Sequence, residues 1–179
     1  MIKFTTLKVD GEEYHQFFNI LEQEDIEHIV RDINYEILHR MALDVPRYQT
    51  KNDMYDVYGK QKHWSNLYDK IVECLKNLNK EVELKASWGN VVKGPTNYAI
   101  HQHIFDITTV FFLQNKYKEF GTLIKPDKIG RKEFIIPGIQ NSLIIFNGKI
   151  PHMTTMPPLE ICESNPRYTI ATDFNVKRV

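Results

Sequence analysis

The sequence lacks any excess of charge of one sign and any long hydrophobic run. Among its 179 residues, 23 are Lys or Arg and 23 are Asp or Glu, so no summed field favours nucleic acid, an anionic membrane surface or a polyanionic substrate. The longest apolar runs, such as VFFL and LIIF, are too short to cross a bilayer. The N-terminal stretch MIKFTTLKVDGEEY has no apolar core of signal-peptide length. We therefore expect a cytoplasmic protein that does not enter a membrane.

Cysteine is also scarce. The two cysteines, Cys74 and Cys162, lie far apart and have neither CxxC nor zinc-finger spacing. Free thiols in a reducing compartment are the plainer expectation, and a disulfide between the two is the alternative. With 42% hydrophobic residues, the chain has enough apolar side chains for a substantial core. We expect one domain that spans residues 1–179.

Residues 1–80 have the periodicity of helices, and we predict a helical support region there. The first apolar set has three-to-four spacing and consists of Ile26, Ile29, Val30, Ile33, Ile37 and Met41. The second set follows Ser65, a candidate N-cap, and consists of Leu67, Tyr68, Ile71, Leu75 and Leu78. Between them, residues 44–62 form a long polar connection whose tyrosines, Tyr48, Tyr55 and Tyr58, are either a lid or ordinary packing residues.

From residue 81 the spacing changes to the period of two that is typical of strands. Val82, Leu84, Ala86 and Trp88 alternate with polar residues. Further short strands are predicted at YAIHQHI, ITTVFFL, GTLI, EFIIP, SLIIF and RYTIATDFNV, with Gly, Pro, Asn and Lys between them. Such a series indicates a mainly β core, either a sandwich, a jelly roll or a small barrel, preceded by helices.

Three histidines in this half are candidate metal ligands. If YAIHQHI is a strand, His101 and His103 project from the same face, and His152 follows the strand SLIIF closely enough to reach the same mouth. Neutral imidazoles bind iron, zinc, copper or nickel, and a facial set with open positions is typical of oxygen-activating iron(II) sites. Ordinary buried histidines are the alternative. The other four, His15, His28, His39 and His63, have no ligand spacing.

Residues 81–179 resemble the iron(II)- and 2-oxoglutarate-dependent oxygenases, in particular an uncharacterised, often viral, branch with a histidine-x-histidine first motif. The matching parts are SWGNVV, HQH, TTVFFL, FGTLI, SLIIFNGKIPH and RYTIATDFNV, in that order. The resemblance implies a double-stranded β-helix, or jelly roll, that holds Fe(II) and takes 2-oxoglutarate and O2 as cosubstrates. It implies oxidation, by hydroxylation, of an unidentified small-molecule or peptide substrate.

The sequence departs from this family at the second metal ligand. Most members have a carboxylate two residues after the first histidine, and this chain has His103 there. We prefer an all-histidine triad of His101, His103 and His152. In the alternative, Asp106 is the carboxylate ligand, which requires a bulge near Ile104. Three-histidine sites also occur in cupin-type dioxygenases that do not use 2-oxoglutarate, and a non-catalytic jelly-roll binding module is a further alternative.

The cosubstrate site is predicted near the C-terminus. Arg167 and Thr169 fall on one face of a predicted strand, and a buried guanidinium with a neighbouring hydroxyl suits the distal carboxylate of a dicarboxylic acid. The family uses an Arg and a Ser or Thr two residues apart in this role. The resemblance also places Tyr98 in the cosubstrate pocket. A surface ion pair is the alternative interpretation of Arg167.

Overall fold

The computed structural model describes residues 2–39, 47–93, 99–126, 132–156, 158 and 164–177. Its helices are α1 (Gln23–His39), α2 (Met54–Tyr58) and α3 (Lys62–Asn77). Its strands are β1 (Phe4–Val9), β2 (Glu12–Phe18), β3 (Arg47–Gln49), β4 (Val82–Val92), β5 (Ile107–Gln114), β6 (Thr122–Ile124), β7 (Phe134–Ile136), β8 (Ser142–Asn147), β9 (His152–Thr154) and β10 (Arg167–Val176). None of the helices described in these ranges is long and apolar enough to span a membrane.

The strands form two antiparallel sheets. The larger sheet has seven strands in the order β1-β2-β8-β5-β10-β4-β3, and the smaller has three in the order β7-β6-β9. The chain crosses to the smaller sheet after β5 and again after β8, and it returns to the larger sheet at β8 and β10, which lie on either side of β5. This is the predicted mainly β double-stranded β-helix with helices in its N-terminal half.

Alternate residues of the central strands contribute to two separate cores. Phe111, Leu143 and Ile145 pack with α1 and α3 on one face of the larger sheet. Phe112 and Ile144 pack with residues of β6 and β7 between the two sheets. Because both faces are buried, the strands read as nearly continuous apolar runs in the sequence. The fold therefore has three layers: helices, the larger sheet and the smaller sheet.

Helix α1 has Glu24 and Asp25 in its first turn, where negative charge is favourable. It matches the predicted first helix up to His39, and Met41, the last residue of the predicted set, lies outside the described residues. The second predicted helix is α3, but its predicted N-cap was wrong. Helix α3 begins at Lys62 after Gln61, and the N–H of Ser65 donates to Gln61 O at 2.9 Å, so Ser65 lies within the helix.

The prediction of a helical region over residues 1–80 requires a correction, because the chain begins with a β-hairpin. Strands β1 and β2 pair in register from Phe4–Phe17 to Val9–Glu12 around a two-residue turn. Asp10 and Gly11 in that turn have φ of 54° and 86°, the left-handed conformation that a tight hairpin requires. The hairpin extends the larger sheet through the pairing of β2 with β8.

The tyrosines of the 44–62 connection are packing residues where the structure describes them. Tyr58 is buried, its ring stacks on Trp64 at 5.7 Å, and its hydroxyl donates to Glu36 Oε1 at 2.8 Å. Burial, together with this hydrogen bond, raises the pKa of Tyr58. The Tyr55 ring lies 4.3 Å from that of Tyr68. The lid hypothesis gains no support from these two residues, and the side chain of Tyr48 lies outside the described part.

Cys74 is a free, fully buried thiol on α3, and Cys162 lies outside the described residues. Burial raises the pKa of Cys74 to about 12, and only the thiolate reacts rapidly with alkylating reagents. We therefore expect iodoacetamide to leave Cys74 unmodified in the native protein and to modify it fully in denaturant, as read by peptide mass spectrometry. Rapid modification of Cys74 in the native state would contradict its placement in the core.

Candidate metal centre

The segment that carries His101 and His103 is not the strand that the sequence predicted. Residues 99–106 make one isolated antiparallel bridge, in which the main-chain N–H groups of His101 and His152 each donate to the other's carbonyl at 3.0 and 2.9 Å. The next bond along, from His103 N, goes to Gly148 O at 2.7 Å in the turn after β8. The change of partner ends the ladder after a single pair. It still fixes the backbone of both histidines against β9 and the end of β8.

The three predicted histidines nevertheless meet at one point. The ring centroids of His101 and His103 lie 5.3 Å apart, those of His101 and His152 4.6 Å, and those of His103 and His152 5.0 Å. One ligand nitrogen from each ring lies within 4.8 Å of the other two. His152 is buried, His103 is half-buried and His101 is exposed, so the cluster has a closed side and an open side. An open side is what a metal needs in order to take an exchangeable ligand.

Each ring has an oxygen acceptor at Nδ1, which fixes its tautomer. A carbonyl or carboxylate oxygen only accepts, so Nδ1 carries the proton, and in the neutral ring Nε2 then presents its lone pair. This is the usual arrangement of metal-binding histidines. The acceptors are Ala99 O for His101 at 3.1 Å, Ile150 O for His152 at 2.8 Å, and Asp173 Oδ1 and Oδ2 for His103 at 2.7 and 2.9 Å.

The electrostatics of His152 also suit a ligand. Burial lowers the pKa of His152 to about 4, the bond to Ile150 O opposes this shift, and the two neighbouring imidazoles add to it. The ring is therefore neutral at neutral pH. Metal ions bind neutral imidazole, so no proton has to leave when an ion binds to this ring.

Asp106, the alternative ligand, points elsewhere. Its Oδ1 accepts from Lys149 Nζ at 3.0 Å, and its Oδ2 accepts from the main-chain N–H of Val176 at 3.1 Å. The cluster of potential ligand atoms found in the described residues contains the three histidines and not this carboxylate. The geometry therefore favours the all-histidine set, which stays a prediction until an ion is bound.

Aromatic rings cover the closed side of the cluster. The Trp88 ring lies 5.6 Å from that of His103, and the Phe146 ring meets His152 edge-on at 4.8 Å. These rings keep water away from one side of the histidines. Lower local polarity strengthens the electrostatic interactions of any ion held there.

Arg167 and Thr169 lie on the inner face of β10. Thr169 is directly opposite Phe112 of β5, whose ring packs between the two sheets. Arg167 shares this face by alternation, and its Nη1 donates to Thr155 O at 2.9 Å, just beyond the strand that carries His152. Arg167 is 4% exposed and Thr169 5%, so both side chains are buried between the sheets and not on the surface. Tyr98 lies outside the described residues.

Comparison with known proteins gives matches at the level of structure. No protein-family model and no curated protein matches the sequence. The non-haem α-ketoglutarate-dependent epimerase SnoN from nogalamycin biosynthesis superposes with a TM-score of 0.69 at 11% identity, over 90% of this chain and 78% of that one. HygX from Streptomyces hygroscopicus, with nickel, 2-oxoglutarate and hygromycin B bound, gives 0.64 at 9%, over 90% and 82%. This chain has the 2-oxoglutarate–iron(II) oxygenase fold.

A viral member of this oxygenase fold matches nearly end to end. The collagen prolyl hydroxylase vCPH of Paramecium bursaria Chlorella virus-1, in its complex with 2-oxoglutarate, superposes with a TM-score of 0.61 at 9% identity. The match covers 95% of this chain and 99% of that one. At 9% identity the likeness establishes the fold alone.

Two residues that contact the histidine cluster were not predicted from the sequence. Asp173 and Thr108 are buried, and both contact His103. A signal was present for Asp173, because it falls on the same face as Arg167 and Thr169 in a strand predicted within the β core. A carboxylate in such a strand needs a polar partner inside the protein. The identity of that partner, 70 residues away in sequence, required the structure.

Proposed function

We propose that the protein is an iron(II)- and 2-oxoglutarate-dependent oxygenase that hydroxylates a small-molecule or peptide substrate. The convergence of three histidine ring nitrogens on one point of a double-stranded β-helix carries this proposal. The donor set fits iron(II), because imidazole is a good ligand for this ion and the exposed side of His101 leaves coordination positions open. The balanced reaction converts substrate C–H, O2 and 2-oxoglutarate into substrate C–OH, CO2 and succinate.

In this proposal, the residues of the chain have distinct tasks. His101, His103 and His152 hold the ion, which when bound supplies the oxygen chemistry. Arg167 holds the distal carboxylate of 2-oxoglutarate through its planar fork, and Thr169 donates a further hydrogen bond from the same face of β10. Tyr98 is assigned to the same pocket by the family resemblance. Residues 1–179 act as one domain, and the free thiol of Cys74 fits a reducing cytoplasm.

The all-imidazole donor set favours a second candidate function. The ligand atoms that cluster in the described part of the chain include no carboxylate, which is the composition of three-histidine dioxygenases that do not use 2-oxoglutarate. The buried Arg167 on the inner face of β10 supports the first candidate instead, because a guanidinium there suits a dicarboxylate. Binding of 2-oxoglutarate separates the two candidates. A binding module without activity is the third outcome.

Reconstitution tests the proposed function. The protein is freed of metal, loaded with iron(II) without oxygen, mixed with 2-oxoglutarate and then exposed to air. We expect succinate to form slowly even without substrate, and to require both iron and oxygen. His152→Ala is the matched control, because it removes one proposed ligand and should abolish the product. Metal binding without 2-oxoglutarate binding would support the three-histidine dioxygenase. Binding of both without turnover, across a broad substrate panel, would support the binding module.

A further inference from the structure

The carboxylate of Asp173 is buried behind the histidine cluster. Asp173 lies on β10, between β5 and β4 in the larger sheet, and is 3% exposed. Its Oδ1 accepts hydrogen bonds from His103 Nδ1 at 2.7 Å and from Thr108 Oγ1 at 2.7 Å, and its Oδ2 lies 2.9 Å from the same ring nitrogen. A buried carboxylate is costly unless a positive charge or several hydrogen bonds compensate it. Hydrogen bonds from His103 and Thr108 compensate this cost in part, and a cation bound to the far side of the His103 ring would compensate it further.

We propose that Asp173, held in place by Thr108, is a positioning residue for His103. The histidine-x-histidine motif has no carboxylate among its ligands, and Asp173 supplies that missing negative charge to the metal centre from behind the His103 ring. This inference rests on the metal site of the proposed function. In a set of two histidines and a carboxylate, the negative charge touches the ion. In this chain the charge lies on the far side of one imidazole, where it orients the ring and favours a cation at Nε2 by electrostatic attraction.

The other two rings have a different environment. His101 and His152 have backbone carbonyls as the acceptors at Nδ1, which orient a ring but carry no net charge. The carboxylate therefore lies behind the one histidine that occupies the position of the family's acidic ligand. Because this ring has the carboxylate behind it, we assign to Asp173 the charge that replaces the missing acidic ligand.

Strand β5 and the turn at Gly148 hold the side chains of Asp173, Thr108 and His103 in this arrangement. Asp173 and Thr108 are directly opposite each other in the pairing of β10 with β5, so their side chains share the inner face. A Cβ added at Gly148 would lie 2.8 Å from the hydroxyl oxygen of Thr108, so the absence of a side chain there leaves room for this hydroxyl. The carbonyl of the same glycine also accepts the main-chain N–H of His103 at 2.7 Å.

Asp173→Asn tests the charge alone, because asparagine keeps the shape and one acceptor oxygen. Affinity for iron(II) is measured by anaerobic calorimetry, and the fold of the metal-free protein by circular dichroism and thermal unfolding. We expect the affinity to fall about 10- to 100-fold, the range typical of outer partners of metal ligands. The increase in Tm that the ion produces should shrink accordingly. Thr108→Val should give a smaller loss in the same direction.

Two matched controls separate this role from a general effect of buried polar groups. Asp106→Asn removes another carboxylate from the adjoining loop, one that is bound to Lys149. Thr109→Val removes a buried hydroxyl from the next residue of β5, which bonds to Thr172 O on the other face. Both variants should keep the wild-type affinity. A purely structural Asp173 would lower the stability of the metal-free protein and leave the affinity unchanged.

A second measurement needs no metal. Nitrogen chemical shifts of the His103 imidazole in the metal-free protein should show the proton on Nδ1, and Asp173→Ala should mix the two tautomers. If wild type binds iron through the three histidines and both Asp173 variants bind it equally well, this inference is wrong and the metal centre stands. If wild type binds no metal ion at all, the metal centre of the proposed function fails and the inference fails with it.

Discussion

Alanine in place of His152 is expected to remove iron(II) from the protein at micromolar concentrations of the ion. The loss should exceed the roughly 10- to 100-fold that an outer partner costs, because a direct ligand disappears. His152 is the most buried of the three rings, and its lowered pKa keeps it neutral and ready to bind. His101→Ala should have the same effect. Anaerobic calorimetric titration with iron(II) measures both variants against wild type.

His28→Ala is the matched control for these two variants. His28 lies on α1 and its ring stacks on that of His63 at 4.9 Å, within the helical layer and away from the cluster. The substitution removes an imidazole that does not contact the proposed site, so the affinity for iron(II) should stay at the wild-type value. If the His101 and His152 variants also keep that value, the proposed metal centre is disproved.

The same titration ranks the two candidates for the third ligand. His103→Ala should weaken metal binding far more than Asp106→Ala, because the ring faces the cluster and the carboxylate is bound to Lys149 and to the N–H of Val176. The reverse ranking would mean that the segment re-forms around the ion and that the site has two histidines and one carboxylate.

The central strands were predictable because their patterns follow from local geometry. Strands β4, β5, β8 and β10 carry either alternating or continuous apolar residues between clear turn signals, and all four appear where the sequence predicted them. The segment at residues 99–104 was also predicted as a strand but pairs at a single position. Its partner is a three-residue strand some 50 residues later, and the pattern of one segment contains no information on such pairing.

The N-terminal hairpin was not predicted, because its first strand lacks the hydrophobic pattern that identified the central strands. Strand β1 is exposed along nearly its whole length, so burial imposes no alternation on its sequence. The available signal was the Asp10–Gly11 pair, which is typical of two-residue hairpin turns. For the candidate site, residue types and spacing were enough to pick out the histidines. The hydrogen bond between His103 and Asp173 joins distant parts of the chain and depends on the completed sheet.

Replacing Arg167 with alanine is expected to separate cosubstrate binding from metal binding. A charge-assisted, two-pronged contact to a carboxylate contributes roughly 1.5–3 kcal/mol, so 2-oxoglutarate should bind at least about tenfold more weakly. Affinity for iron(II) should change little, because Arg167 is bonded to Thr155 O and is not among the clustered ligand atoms. The measurement is a 2-oxoglutarate titration of the iron-loaded protein without oxygen.

Three further variants locate the cause of such a loss. Arg167→Lys should recover part of the affinity, because lysine keeps the charge but not the planar fork. Thr169→Val removes one neutral hydrogen bond and should cost about 0.5–1.5 kcal/mol. Lys149→Ala, which removes an exposed cation next to the histidine segment, should leave the affinity for 2-oxoglutarate unchanged. If wild type and Arg167→Ala bind 2-oxoglutarate equally well, the anchor for its carboxylate lies elsewhere in the chain and the metal centre is unaffected. If wild type does not bind 2-oxoglutarate, the three-histidine dioxygenase or the binding module replaces the 2-oxoglutarate-dependent oxygenase as the proposed function.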